Sequence, residues 1–259
     1  MKRFDLIDTL RGLSILSMIA FHACWLINFF NLGISDETLF GRGFFAWERS
    51  ICISFIMIAG YSFSLGRRHL RSGLILTVLG AVITLLTVLF LPGIHIVFGI
   101  LTFMGAVTLL MIPFDKLYVS SCKKNVRTER SGIIHIISFA LSLLLFLFSY
   151  DINRGTVGLP FCPDIQLPVW LFRGYIATFI GFMEPGFDSV DYFSLIPWCF
   201  IYMCGYFLHK IIKDSTAEEK IMTRGIPMIR SIGRHSLLIY IIHPIVLFML
   251  IGGVSLILK

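Results

Sequence analysis

The sequence predicts an all-α, polytopic integral membrane bundle of about seven spans with one additional re-entrant or interfacial segment. Three observations predict it. Hydrophobic residues make up 57% of the chain and charged residues only 14%, a balance foreign to an ordinary soluble domain. Apolar runs recur at the length that a hydrocarbon core of about 30 Å demands, about 20 residues per helix. Basic residues concentrate in alternate connections, which is the positive-inside pattern. Little chain remains between the spans, so residues 1–259 are expected to form a single transmembrane domain.

The first span falls near 10–31. Lys2 and Arg3 precede its apolar run as they would in a signal peptide. Asp5 and Asp8 interrupt that basic region, however, and no small-residue cleavage site follows, so the segment is expected to be retained. The other six spans fall near 50–66, 73–91, 94–112, 133–149, 193–212 and 236–258. Basic clusters follow spans two (Arg67, Arg68, Arg71), four (Lys116, Lys123, Lys124, Arg127, Arg130) and six (Lys210, Lys213, Lys220, Arg224, Arg230, Arg234). The alternate connections hold few, namely Arg42 and Arg49, none near Pro92, and Arg154 in the fifth. This places the N-terminus in the cytoplasm and the C-terminus outside, in a plasma (inner) membrane.

The stretch 168–183 is apolar but short, and it carries Arg173. If it crossed the membrane, Glu184, Asp188 and Asp191 would face the cytoplasm and the basic 210–235 loop would lie outside. Both placements oppose the charge bias, so the stretch is expected to be re-entrant or interfacial. The net charge of +7 is accounted for by topology, and no nucleic-acid partner is expected. Cys24, Cys52, Cys199 and Cys204 sit within spans as small apolar side chains, and Cys122 and Cys162 fall in loops on opposite sides. No disulfide framework and no metal-ligand spacing emerges, so no metal is expected. The 25 phenylalanines serve lipid contact and core packing.

His22 is the residue that points to chemistry. It lies deep in the first span, eleven positions after Arg11, and eleven steps of about 100° bring both side chains to one helix face. They are separated by roughly 16 Å along the axis. An ionisable group at that depth is costly and points to function, although a neutral imidazole can also serve as interhelical glue. At the cytoplasmic surface Arg68 and Arg71 are spaced i, i+3, and paired guanidiniums suit phosphate through bidentate hydrogen bonds. Without Arg11 they would pass for topology-setting charge. With it, they suggest a route from a phosphate-bearing group to an imidazole, which fits acyl-coenzyme A. His22 could then act as a general base or carry the acyl group transiently.

The spacing of Arg11 and His22 in the first helix, followed by Arg68-x-x-Arg71, resembles the type-3 membrane acyltransferases. Five further stretches resemble the bacterial branch of the heparan-α-glucosaminide N-acetyltransferase catalytic-domain family. They are Ile7-Asp8-Thr-Leu-Arg11-Gly12, Phe55-Ile-Met-Ile-Ala-Gly60-Tyr61-Ser62, Phe98-Gly-Ile-Leu101, Asp191-Tyr192-Phe-Ser-Leu-Ile-Pro197-Trp198 and Gly233-Arg-His-Ser236-Leu-Leu-Ile-Tyr240-Ile-Ile-His243-Pro244. The resemblance covers residues 5 to about 250. It implies transfer of an acyl group, most naturally acetyl, from cytosolic acyl-coenzyme A to a carbohydrate or glycan acceptor on the far side. It also implies His22 as the catalytic histidine and Arg11, Arg68 and Arg71 as ligands of the donor's phosphates.

Asp8, Asp191, Tyr192, Trp198, Tyr240 and His243 are the acceptor or cavity candidates. Tyr240 and His243 are i, i+3 on the last span, where they either share a cavity with His22 or lock helices together. Asp191, Tyr192 and Trp198 enter span six from the outer side, where aromatic residues also form interfacial belts. Membrane lipid is an expected partner, and a homo-oligomer is one option. The rival function is a transporter or flippase for an anionic small molecule or lipid-linked sugar, with Arg11 and His22 lining its pathway. The absence of internal repeats and paired broken helices argues against it.

Overall fold

The structure, a computed structural model, describes residues 4–91, 93, 95–125, 128–159, 161–213 and 223–258. Of the residues that carried the charge pattern, Lys2, Arg3, Arg127 and Lys220 lie outside the described residues, as do the side chains of Lys123, Lys124 and Arg130. Among the described residues seven helices are long and apolar enough to cross a membrane. They are α1 (Asp5–Phe29), α3 (Arg42–Phe63), α4 (His69–Phe90), α5 (Ile100–Asn125), α6 (Thr128–Phe148), α8 (Leu195–Ile212) and α10 (Ser236–Leu258). Among the described residues the shorter α-helices between them are α2 (Asp36–Leu39), α7 (Tyr175–Ile180) and α9 (Pro227–Arg234). The fold is the all-α polytopic bundle that the composition predicts.

Two boundaries differ most from the apolar runs. Helix α3 starts at Arg42, well before the apolar stretch near 50, and α5 continues to Asn125, past the Asp115-Lys116 pair that ends its apolar run. A helix may extend beyond the hydrocarbon because its backbone bonds are internal, so apolar length bounds the buried part only. The stretch 168–183 contains a 3₁₀ turn at Val169–Leu171 and then α7, whose six residues cover about 9 Å. That is far short of a crossing. Gly174 (φ 85°) and Gly181 (φ 146°) flank α7 in backbone conformations that disfavour side chains.

The chain divides into two compact units, Met1–Ile58 with Ile212–Lys259, and Ala59–Ile211. In the first, α1 packs along α9 and α10. The contacts pair Asp5 with Arg230, His22 with His243, and Phe30 with Phe248, so α1 and α10 run side by side in the same direction. Lipid tails are as apolar as leucine, so close packing rather than water exclusion must hold such helices together. Glycines provide it. A Cβ on Gly12 would overlap the Ile229 carbonyl, and one on Gly233 would overlap the Asp8 carbonyl. Trp47 Nε1 donates to Ser17 Oγ at 2.8 Å and ties α3 to α1.

In the second unit α4 lies against α5 through the same device, with Gly73 and Gly80 facing Leu109 and Thr102, and Gly105 facing Thr77. Its core is aromatic, with Phe103, Trp198, Tyr202, Tyr206 and Phe207 all buried. Outward faces of α4, such as Val78, Leu85 and Leu89, are exposed, as lipid-facing positions must be. A two-residue antiparallel ladder pairs Thr156 with Gln166 and Val157 with Ile165 in the connection after α6.

Candidate active site

His22 and His243 meet on neighbouring helices. Their ring centroids are 5.1 Å apart at an interplanar angle of 48°. The two rings have opposite surroundings, since His22 is exposed on the bundle surface while His243 is buried at 6% exposure. His243 Nδ1 lies 2.7 Å from the Tyr240 carbonyl and 3.2 Å from that of Ile239. A carbonyl oxygen only accepts, so Nδ1 carries the ring proton. The sequence explains the clamp: Pro244 sits inside α10 and has no N–H for the carbonyl four residues back, Tyr240. His243 supplies the missing donor. Its Nε2 therefore presents a lone pair, buried and without a hydrogen-bond partner among the described residues. Tyr240 lies beside it, ring centroids 5.7 Å apart. The structure thus sets His243, which the sequence singled out, against His22, with Tyr240 beside His243.

At the start of α1 an ion-pair cluster forms that the sequence reading saw only in part. Arg11 donates to Asp8 at 3.0 Å, one helical turn away. Arg234 reaches Asp8 at 3.3 Å and Asp5 at 3.4 Å, and Arg230 pairs with Asp5. Thr9 Oγ1 accepts from the Ile226 amide at 3.2 Å. Among the described residues, three guanidiniums stand against two carboxylates in the cluster, a net positive charge. Asp5, Arg230 and Arg234 entered the sequence reading only as topology-setting or n-region charge. One signal could have found them: acids spaced i, i+3 at the start of one helix, and arginines spaced i, i+4 on a short amphipathic helix. Asp8 is engaged by this cluster.

Between the levels of Arg11 and His22, a groove of about 350 Å³ runs along α1, lined by Ser14, Ser17, Ser50 and Ser54 with Leu13 and Met57. It mixes hydroxyls with apolar wall. In the second unit Arg68 is the N-cap residue of α4 and Arg71 lies in its first turn. Both are exposed and that turn holds no acid, so the positive end of the helix dipole and two guanidiniums coincide.

The remaining candidates have structural employment. Asp191 Oδ2 accepts from the Ile100 amide at 3.2 Å and so caps α5 from a distant loop. Tyr192 donates its hydroxyl to the Thr178 carbonyl at 2.6 Å. Burial pushes its phenol up to about 12, so the proton stays in place. Trp198 is 3% exposed and packed against Phe146 and Phe193. Among the described residues no three His, Cys, Asp or Glu side chains gather as a metal ion would require.

The model of the family described as "Heparan-alpha-glucosaminide N-acetyltransferase, catalytic" matches residues 3–124 and 130–245. The match includes Arg11, His22, Arg68, Arg71 and His243, and it takes in parts of both compact units. Comparison with curated proteins gives no match, and neither does comparison with solved structures. The family decides between the acyltransferase and the transporter. The chain belongs to the heparan-alpha-glucosaminide N-acetyltransferase catalytic family and is a polytopic membrane acyltransferase.

Proposed function

We propose that the protein moves an acetyl group from cytosolic acetyl-coenzyme A to a carbohydrate acceptor of the glucosamine type on the outer side of the plasma (inner) membrane, with His22 as general base. The observation that carries the mechanism is the imidazole pair inside the membrane-spanning helices of a chain of this family. An ionisable ring within a span is costly unless it is used, and this one is open to a substrate. As the acceptor attacks the thioester carbonyl, its proton passes to His22. The new bond to carbon forms, the C–S bond breaks, and coenzyme A leaves as the thiolate, which takes the proton back from His22. Such a base contributes about 10²- to 10⁴-fold.

Several features support the donor assignment. The arginine pair at the start of α4 suits a nucleotide's phosphates, as does its resemblance to the type-3 acyltransferase pattern. The serine-lined groove along α1 suits a pantetheine arm, whose amides need partners and whose methylenes need apolar wall. Arg11, through the net positive charge of its cluster, attracts the anionic donor toward α1. Sidedness follows from the charge bias together with the parallel run of α1 and α10, which sends the two chain ends to opposite faces.

The direct test is incubation of purified protein with radiolabelled acetyl-coenzyme A and glucosamine. Labelled acetylated sugar with release of free coenzyme A is the expected result. Failure to bind or turn over any acyl-coenzyme A would contradict the proposal.

A further inference from the structure

We infer that His243 is the positioning residue for His22, accepting a hydrogen bond from its ring N–H through the Nε2 lone pair. The inference rests on the proposed role of His22 as base. Three independent observations lead to it. The rings lie 5.1 Å apart, close enough for a small ring rotation to close the bond. His243 cannot turn over freely, because its Nδ1 proton is committed to the carbonyl that Pro244 leaves without an amide. Its Nε2 is buried and lacks a partner among the described residues, a costly condition for a polar atom unless a partner arrives.

The chemistry follows from the proton count. A neutral His22 has one N–H and one lone pair. When the N–H is held by His243, the lone pair is left for the acceptor's proton, so the ring has the correct tautomer before the substrate arrives. On taking that proton His22 becomes an imidazolium with both nitrogens protonated, and the neutral Nε2 of His243 stabilises the held side. The proton then passes to the departing thiolate and both rings return to neutral. His243 keeps its own proton throughout and never touches substrate. This is the role that a buried carboxylate plays behind the histidine of a hydrolytic triad, performed here by a second imidazole that a proline has fixed.

His243→Asn separates this from a packing role. An asparagine keeps an amide N–H for the Tyr240 carbonyl but removes Nε2. With acetyl-coenzyme A and glucosamine, its kcat should fall at least about 10-fold while KM for acetyl-coenzyme A and the unfolding temperature stay near wild type. Combined with His22→Ala it should cost nothing further, because it acts only through His22. Wild-type kcat in His243→Asn, a loss confined to KM, or an additive double variant would overturn the inference. Wild-type turnover in His22→Ala would instead sink the reading beneath it. A readout independent of turnover is nitrogen NMR of histidine-labelled protein. A proton on His243 Nδ1 and a lone pair on Nε2 are expected, and a proton on Nε2 overturns the arrangement.

Discussion

Pro244 leaves the Tyr240 carbonyl without its helical amide, and the neighbouring imidazole takes the vacant place. A break in one helix thereby fixes the tautomer of a ring that touches His22. Elsewhere at this scale the chemistry is electrostatic. Arg68 and Arg71 stand exposed where the α4 dipole is positive, so their loss should weaken donor binding and leave the bundle intact. The double variant Arg68→Ala/Arg71→Ala should raise KM for acetyl-coenzyme A about tenfold or more, since each charged hydrogen bond contributes about 1.5–3 kcal/mol. An unchanged affinity for acetyl-coenzyme A in that variant would remove the clamp. His22 was legible in the sequence because an imidazole in an apolar helix violates the local pattern. Its partner was legible only as one of two options, a cavity shared with His22 or a lock between helices, for 221 positions separate the two and periodicity within α10 carries no information about α1. Arg11 was half legible: its spacing to His22 could be read, whereas its pairing with Asp8 within a cluster reaching Arg230 and Arg234 required the fold.

At the scale of elements, the docking of α9 on α1 depends on two glycines and a charge cluster. Gly233→Ala should lower stability by about 1–3 kcal/mol, because its Cβ would run into the Asp8 carbonyl and backbone cannot step aside cheaply. Gly253→Ala, on α10 with open space around it, should leave the unfolding temperature unchanged or raise it, since alanine favours helix over glycine by about 1 kcal/mol. Thermal unfolding in detergent compares the two; equal effects would refute the packing explanation. The spans themselves were legible because the bilayer fixes how many apolar residues a crossing helix needs. Helix ends were not, since Asp115 and Lys116 close an apolar run without closing α5. Residue type alone did not announce the structural contacts of Asp191, Tyr192 and Trp198, which cap a helix, bond a carbonyl and fill a core.

For the whole molecule, the proposed topology has the N-terminus cytoplasmic and the C-terminus outside, which agrees with seven candidate spans among the described residues and with α1 and α10 running in the same direction. A reporter fused after Lys259 should therefore be extracytoplasmic, and a cytoplasmic signal would reverse the topology and with it the sidedness of transfer. Family membership carries the activity class, while the base, the donor clamp and the direction of transfer are what the proposal adds. All three meet in one experiment. Acetyl transfer from acetyl-coenzyme A to glucosamine is measured for wild type and His22→Ala after both are shown to insert and unfold alike. The His22 mechanism predicts a loss of about 10²- to 10⁴-fold in the variant. Wild-type turnover in a folded His22→Ala protein would contradict it.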